Sequence, residues 1–286
     1  MRYLLIVTLL WAFSFSLIGE YLAGRVDSYF AVLTRIVIAG LLFLPLTRWR
    51  GQAPAFVRGM LLIGALQFGI TYVCLYLSFS VLSVPEVLLF TILTPLHVTL
   101  IEDALNRRFN PWALVAAAVA VLGAAIIRYD GISSGFLFGF LLLQVANFTF
   151  AAGQVLYKHL LRRYPSDEPQ YRRFGFFYFG ALLVALPAFW LLGNAERMPA
   201  TALQWSVLGW LGVMASGIGL YWWNKGASQV DGGTLAVMNN ALVPAGLLVN
   251  LLIWNHDADW LRLALGGAVI AASLPLVRLG RVARAV

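Results

Sequence analysis

Charge is what this 286-residue sequence has least of: Asp, Glu, Lys and Arg make up 11% of it, against about a quarter in a typical soluble domain. With 61% hydrophobic and 14% aromatic residues, a water-soluble fold would expose apolar surface on a scale that aggregates. One cysteine, Cys74, rules out an internal disulfide and any multi-cysteine metal site. Its neighbours from Tyr72 to Leu77 are apolar or aromatic, so a buried, inert thiol is expected. The three histidines, His97, His159 and His256, are scattered over different segments, without a His-Glu-x-x-His spacing. That scarcity, with no cluster of carboxylates at mid-depth, argues against a membrane enzyme. Ala215–Ser–Gly–Ile–Gly219 has no suitably placed histidine to activate its serine. No Gly-x-x-x-x-Gly-Lys loop occurs, so this chain does not itself hydrolyse ATP. No metal and no cofactor is expected.

What the sequence has in abundance is long apolar runs. A membrane-spanning helix needs about 20 mostly apolar residues, and ten such segments occur, near 3–22, 30–47, 57–80, 84–104, 112–127, 135–158, 172–192, 203–224, 233–254 and 261–277. Gly, Pro or charges separate them. The weakest break is Val81–Ser83, where Pro85 and a run too long for one span predict a tight turn. The first segment follows Arg2 and has the look of a secretory signal. Its aromatic-rich Trp11–Ala–Phe–Ser–Phe15 and the nine segments after it favour a retained helix. The net charge of +8 invites a nucleic-acid reading, but the basic residues sit at the ends of apolar runs. With the N-terminus inside, fifteen of them fall on the cytoplasmic side and four outside. This bias sets orientation, with both termini cytoplasmic.

Shifting the chain by 149 residues aligns Phe68–Pro95 with Gly217–Pro244 without a gap, placing Tyr72 on Tyr221 and Pro95 on Pro244. At an offset of 135, Ala12–Phe–Ser–Phe15 echoes Asn147–Phe–Thr–Phe150. The expected architecture is therefore an all-α integral membrane protein of two repeats, residues 1–130 and 131–286, each with five helices. An odd helix count means that the second repeat enters the membrane from the opposite side. Inverted repeats of this kind place a substrate site near the midplane and alternate access by rocking.

The residues that carry a family likeness are Trp11–Ala–Phe–Ser–Phe15, Arg35, Thr94–Pro95–Leu96 and Val243–Pro244. The sequence resembles the drug/metabolite transporter superfamily in its two-domain EamA form. Longer strings, such as Gly19–Glu–Tyr–Leu–Ala–Gly24, Ala215–Ser–Gly–Ile–Gly219 and Val243–Pro–Ala–Gly–Leu–Leu–Val–Asn250, resemble bacterial biotin transporters from the first segment through the ninth. The resemblance implies biotin uptake across the bacterial cytoplasmic membrane. The alternative is export of amino acids or related metabolites, the broader habit of the superfamily. One departure concerns the acid that many EamA proteins carry about thirteen positions after the two prolines. Here those positions are Arg108 and Asp257, so no role for it passes to the first half. The partners expected are the small-molecule substrate and the lipid bilayer, with no nucleic acid and no ATPase subunit. Nothing sets the oligomeric state, and a monomer is compatible with it.

Biotin presents a carboxylate, a ureido group and an apolar bicycle with an aliphatic tail. A fitting pocket is mostly apolar and aromatic, with a few convergent polar groups. Asn147, midway along its segment, must find partners in hydrocarbon, either in the substrate or across a helix interface. Gln154 lies nearly on the same face. Asn239 and Asn240 point about 100° apart, one toward the cavity and one supporting it. Trp11, Tyr72, Tyr76 and their counterparts Tyr221 and Lys225 are candidate wall residues, with the membrane interface as the other reading, above all for Trp222 and Trp223. Arg35, Glu86 and His97 are the intramembrane ionisable groups, which mark functional sites by default. Arg35 either pairs with Glu86 or binds the carboxylate, and Lys225 is the rival cation. His97 and Glu86 are the candidates for proton coupling.

Overall fold

The computed structural model describes residues 1–105, 134–230, 232–254 and 260–282, with isolated positions between 107 and 126. Every element described is helical. They are α1 (Arg2–Leu22), α2 (Ser28–Leu46), α3 (Pro54–Ser78), α4 (Val84–Leu105), α5 (Ser134–Arg163), α6 (Tyr171–Leu192), α7 (Ala202–Ser228), α8 (Gly232–Ile253) and α9 (Trp260–Val282). Seven of these, α1 to α7, are long and apolar enough to cross a membrane, and α8 and α9 carry shorter apolar stretches. The expected fifth segment, 112–127, falls largely outside the described residues. Its described positions are helical, so the count of ten is consistent with the fold. Arg108 and Asp257, where the family's acid was sought, also lie outside the described residues.

The doubtful break at Val81–Ser83 is a turn. Glu86 in the first turn of α4 accepts from both the backbone N–H and the hydroxyl of Ser83, each at 2.8 Å. This contact satisfies a donor left over at the helix start and favours a negative charge there. At the head of α2, Asp27 accepts from the Phe30 N–H at 2.8 Å in the same way. The outward faces of the helices are apolar, as with Leu41, Leu183, Trp190 and Leu191. A coat of that kind fits lipid rather than water.

Packing is reciprocal between the halves. α1 packs on α8 and α7, and α5 packs on α4 and α3; α2 meets α7, and α6 meets α3. Exchanging α1–α4 for α5–α8 leaves this set of pairs unchanged, with α2 against α6 at its centre. The backbone repeats too: α3 widens into a π-helix over Ala65–Ile70 and α7 over Leu211–Gly219, and the 149-residue shift overlays them.

The α2–α6 pair is tied at both ends. At the end rich in basic residues, the Arg48 N–H bonds the Arg172 carbonyl at 2.7 Å, and Glu168 bridges the Arg48 and Arg172 guanidinium groups. At the other end, the Asp27 N–H bonds the Arg197 carbonyl at 2.7 Å, and the Arg197 guanidinium reaches the Gly24 carbonyl. Between α3 and α6 the backbones themselves touch. A Cβ on Gly64 would overlap the Phe177 carbonyl, and one on Gly180 would overlap that of Leu61. Small residues allow such close approach in membranes, where association relies on packing rather than on a hydrophobic drive.

Candidate functional site

A cavity of about 80 Å³ lies at the centre of the bundle. Among the described residues, seven helices face it: α1 through Trp11 and Phe15, α2 through Arg35, α3 through Thr71 and Tyr72, α4 through Thr91 and Thr94, α5 through Asn147 and Phe150, α7 through Trp223 and α8 through Asn239.

Arg35 is the one ionised side chain among these lining residues. It is 1% exposed. Its Nε donates to the Ser216 hydroxyl and one terminal nitrogen to the Tyr76 hydroxyl, both at 2.9 Å. The guanidinium also stands over the rings of Tyr72 and Tyr76, at 4.7 and 5.6 Å. Hydroxyls and ring faces soften the loss of water but carry no formal charge. The sequence left open an ion pair with Glu86, yet Glu86 is engaged at the Ser83 turn and Arg35 meets no carboxylate among the described residues.

Ser216 reaches Arg35 from the widened stretch of α7. A π-turn shifts carbonyls out of the helical ladder, and two side chains take up three of them. Trp11 Nε1 donates to the Ala215 carbonyl at 3.0 Å, and the Tyr178 hydroxyl lies 3.0 and 2.9 Å from the carbonyls of Ser216 and Gly217.

Asn147 faces a broken stretch of α4. The helix Val84–Phe90 passes into a 3₁₀ turn over Thr91–Leu93 and resumes at Thr94, since Pro95 lacks an N–H and crowds the preceding turn. Asn147 repairs the break: its Nδ2 donates to the Phe90 carbonyl at 2.9 Å, and its Oδ1 accepts from the Thr94 hydroxyl at 3.3 Å. Asn147→Ala leaves that carbonyl buried and unmet. The expected cost is about 1–3 kcal/mol, read as a lower unfolding midpoint in detergent than that of the wild type.

Toward the basic end the cavity is floored by rings. Trp11 and Trp223 stand 4.9 Å apart, with Phe150 at 5.8 Å from the first and 6.3 Å from the second. Gln154 fixes this floor from behind without lining the cavity. Its Oε1 accepts from Trp223 Nε1 at 3.0 Å and from Asn239 Nδ2 at 3.1 Å.

Of the residues singled out from sequence, Trp11, Arg35, Tyr72, Asn147 and Asn239 line the cavity. Gln154 and Tyr76 back them from outside it. The remainder lie elsewhere. Tyr221 packs on Phe43 and Phe174, with ring centroids 5.3 Å away in each case. Lys225 sits at the basic end, its Nζ 4.9 Å from the Tyr3 ring. Asn240 is half-buried beside Asn239 but is not a lining residue. Glu86 caps α4, and His97 Nε2 lies 3.3 Å from Gln144 Oε1, which in turn accepts from Asn147. The interfacial reading of Trp223 is corrected: the indole is 1% exposed and faces the cavity. Thr91, Thr94 and Phe150 were not singled out. Pro95 signalled the first two, and the echo that places Phe15 on Phe150 signalled the third.

A helical bundle with apolar outer faces, around a cavity with one ionised side chain among its described lining residues, has the architecture of a small-molecule transporter. Residues 1–129 match the EamA-like transporter family. Over 98% of both chains, the sequence is 73% identical to a probable biotin transporter of Pseudomonas aeruginosa. It is 53% identical to the biotin transporter of Escherichia coli K12, across 96% of this chain and 91% of that one. A solved crystal structure, 19% identical, superposes with a TM-score of 0.66 over 97% of this chain, a likeness of fold. The chain belongs to the EamA-like transporter family.

Proposed function

We propose that this chain imports biotin across the bacterial cytoplasmic membrane, binding it in the central cavity. The observation that carries this reading is Arg35, a guanidinium buried in the cavity wall with no carboxylate beside it among the described residues. A buried charge wants a partner of opposite sign, and the carboxylate of biotin supplies one. Asn147, Asn239 and Thr94 offer donors and acceptors to the ureido group, and Trp11, Tyr72 and Phe150 offer faces to the bicycle. The curated relatives bearing the name biotin transporter point the same way. Export of a free amino acid fits less well. Its ammonium would need an acid, and the described lining has none.

In this reading the two halves are inverted repeats, supported by the reciprocal helix pairs and the paired π-segments. The basic end faces the cytoplasm, as the positive-inside bias requires. A cavity of about 80 Å³ takes only a few waters. Biotin therefore enters when the halves rock apart and leaves when the ring floor opens. His97, joined to the cavity through Gln144 and Asn147, is the better placed of the two candidates for proton coupling.

The test is uptake of labelled biotin at nanomolar supply by cells without biotin synthesis or a transporter of their own. Expression of this chain should confer saturable uptake. No gain over the empty vector would sink the reading.

A further inference from the structure

Gln67, midway along α3, is completely buried, yet neither its amide oxygen nor its amide nitrogen has a hydrogen-bond partner among the described residues. Buried amides normally satisfy both, since burial strips them of water and returns nothing. The side chain lies along the bare Cα of Gly153 in α5, where a Cβ would come within 2.6 Å of its Cγ and 2.7 Å of its Cδ. About one turn on from Gln67 and Gly153 are Thr71 and Thr149, which share a hydrogen bond of 2.8 Å, and Thr71 lines the cavity. Gln67 is therefore about one turn beyond the cavity toward the basic end, past Phe150 along α5.

The repeat adds a second observation. The 149-residue shift that overlays the two π-segments places Gln67 on Ser216. Ser216 is the residue that holds Arg35 in the cavity wall. Of two equivalent positions, one grips the buried cation and the other presents an amide with nothing to bind among the described residues.

We propose that Gln67 reads the ureido group of the substrate, as a second station between the central cavity and the basic end. A primary amide offers a donor beside an acceptor. A cyclic urea offers an N–H beside a C=O, so the two pair through parallel hydrogen bonds once the floor of Trp11, Phe150 and Trp223 parts. This station rests on the biotin reading above and goes beyond it by adding a later contact: in the cavity the ureido ring meets Asn147, Asn239 and Thr94, and on its way to the basic end it meets Gln67.

The experiment compares wild type and Gln67→Leu, purified and reconstituted in liposomes. It measures uptake of labelled biotin, competition by lipoate, which has the carboxylate and tail but no ureido group, and the unfolding midpoint. Replacing an unmet amide by an apolar side chain of similar size should hold or raise the midpoint. Uptake should nevertheless fall about tenfold, and the preference for biotin over lipoate should narrow about as much, because a site that loses its hydrogen-bonding partner loses its discrimination. If Gln67→Leu does not fold, Gln67→Met gives the same comparison. Uptake and preference within twofold of wild type in a folded variant overturn the station alone. No uptake by the wild type overturns the import reading with it.

Discussion

Arg35→Leu should cut biotin uptake about 10- to 100-fold or more, since a hydrogen bond to a charged group contributes about 1.5–3 kcal/mol. The protein should still fold. The bonds to Ser216 and Tyr76 are lost, at about 1–3 kcal/mol, but no charge then has to stay buried, and leucine keeps much of the volume beneath the Tyr72 and Tyr76 rings. Arg35→Lys keeps the charge but not the fork that reaches Ser216 and Tyr76 together. It should retain only part of the activity. The amide of biotin, which lacks the carboxylate, supplies the control: it should compete weakly against wild type and no more weakly against Arg35→Leu. Uptake assays on vesicles with matched protein content read all three. Unchanged uptake in a folded Arg35→Leu variant would remove the carboxylate from this position.

The largest loss of stability is expected at Gly64. The Phe177 carbonyl occupies the space that a Cβ would need there, and Gly180 stands in the same relation to Leu61. The obstructing atoms are backbone, so no rotamer change relieves the clash. Gly64→Val must push α3 away from α6, at a cost of about 3 kcal/mol or more, the range reached by overpacking at closed interfaces. The measurement is the unfolding midpoint and the folded yield in detergent. Gly209→Ala is the comparison, because open space surrounds its Cβ position; it should be close to wild type.

The sequence made the architecture legible because hydrophobic length and breakers report it directly. Segment bounds read from apolar runs fall within a few residues of α1–α9, and the turn at Val81–Ser83 follows from Pro85 and an apolar run too long for one span. Half of the cavity was legible for a related reason: an Asn or Arg inside an apolar helix is costly enough to announce itself, as Asn147, Asn239 and Arg35 do. Tryptophan does not announce its direction. Trp222 and Trp223 are adjacent, and only packing against Trp11 and Gln154 shows that the second turns inward. The π-segments were hidden altogether. Hydropathy carries no mark of an extra residue per turn, yet the widened stretch of α7 carries Ser216, which meets Arg35, while Glu86 is held at the Ser83 turn.

One measurement bears on the central claim most directly, a structure of the protein with biotin bound. The account predicts one biotin per chain in the central cavity, its carboxylate within hydrogen-bonding distance of Arg35 and its rings among Trp11, Tyr72 and Phe150. Biotin bound elsewhere in the bundle, or in the cavity with its carboxylate turned away from Arg35, would contradict it.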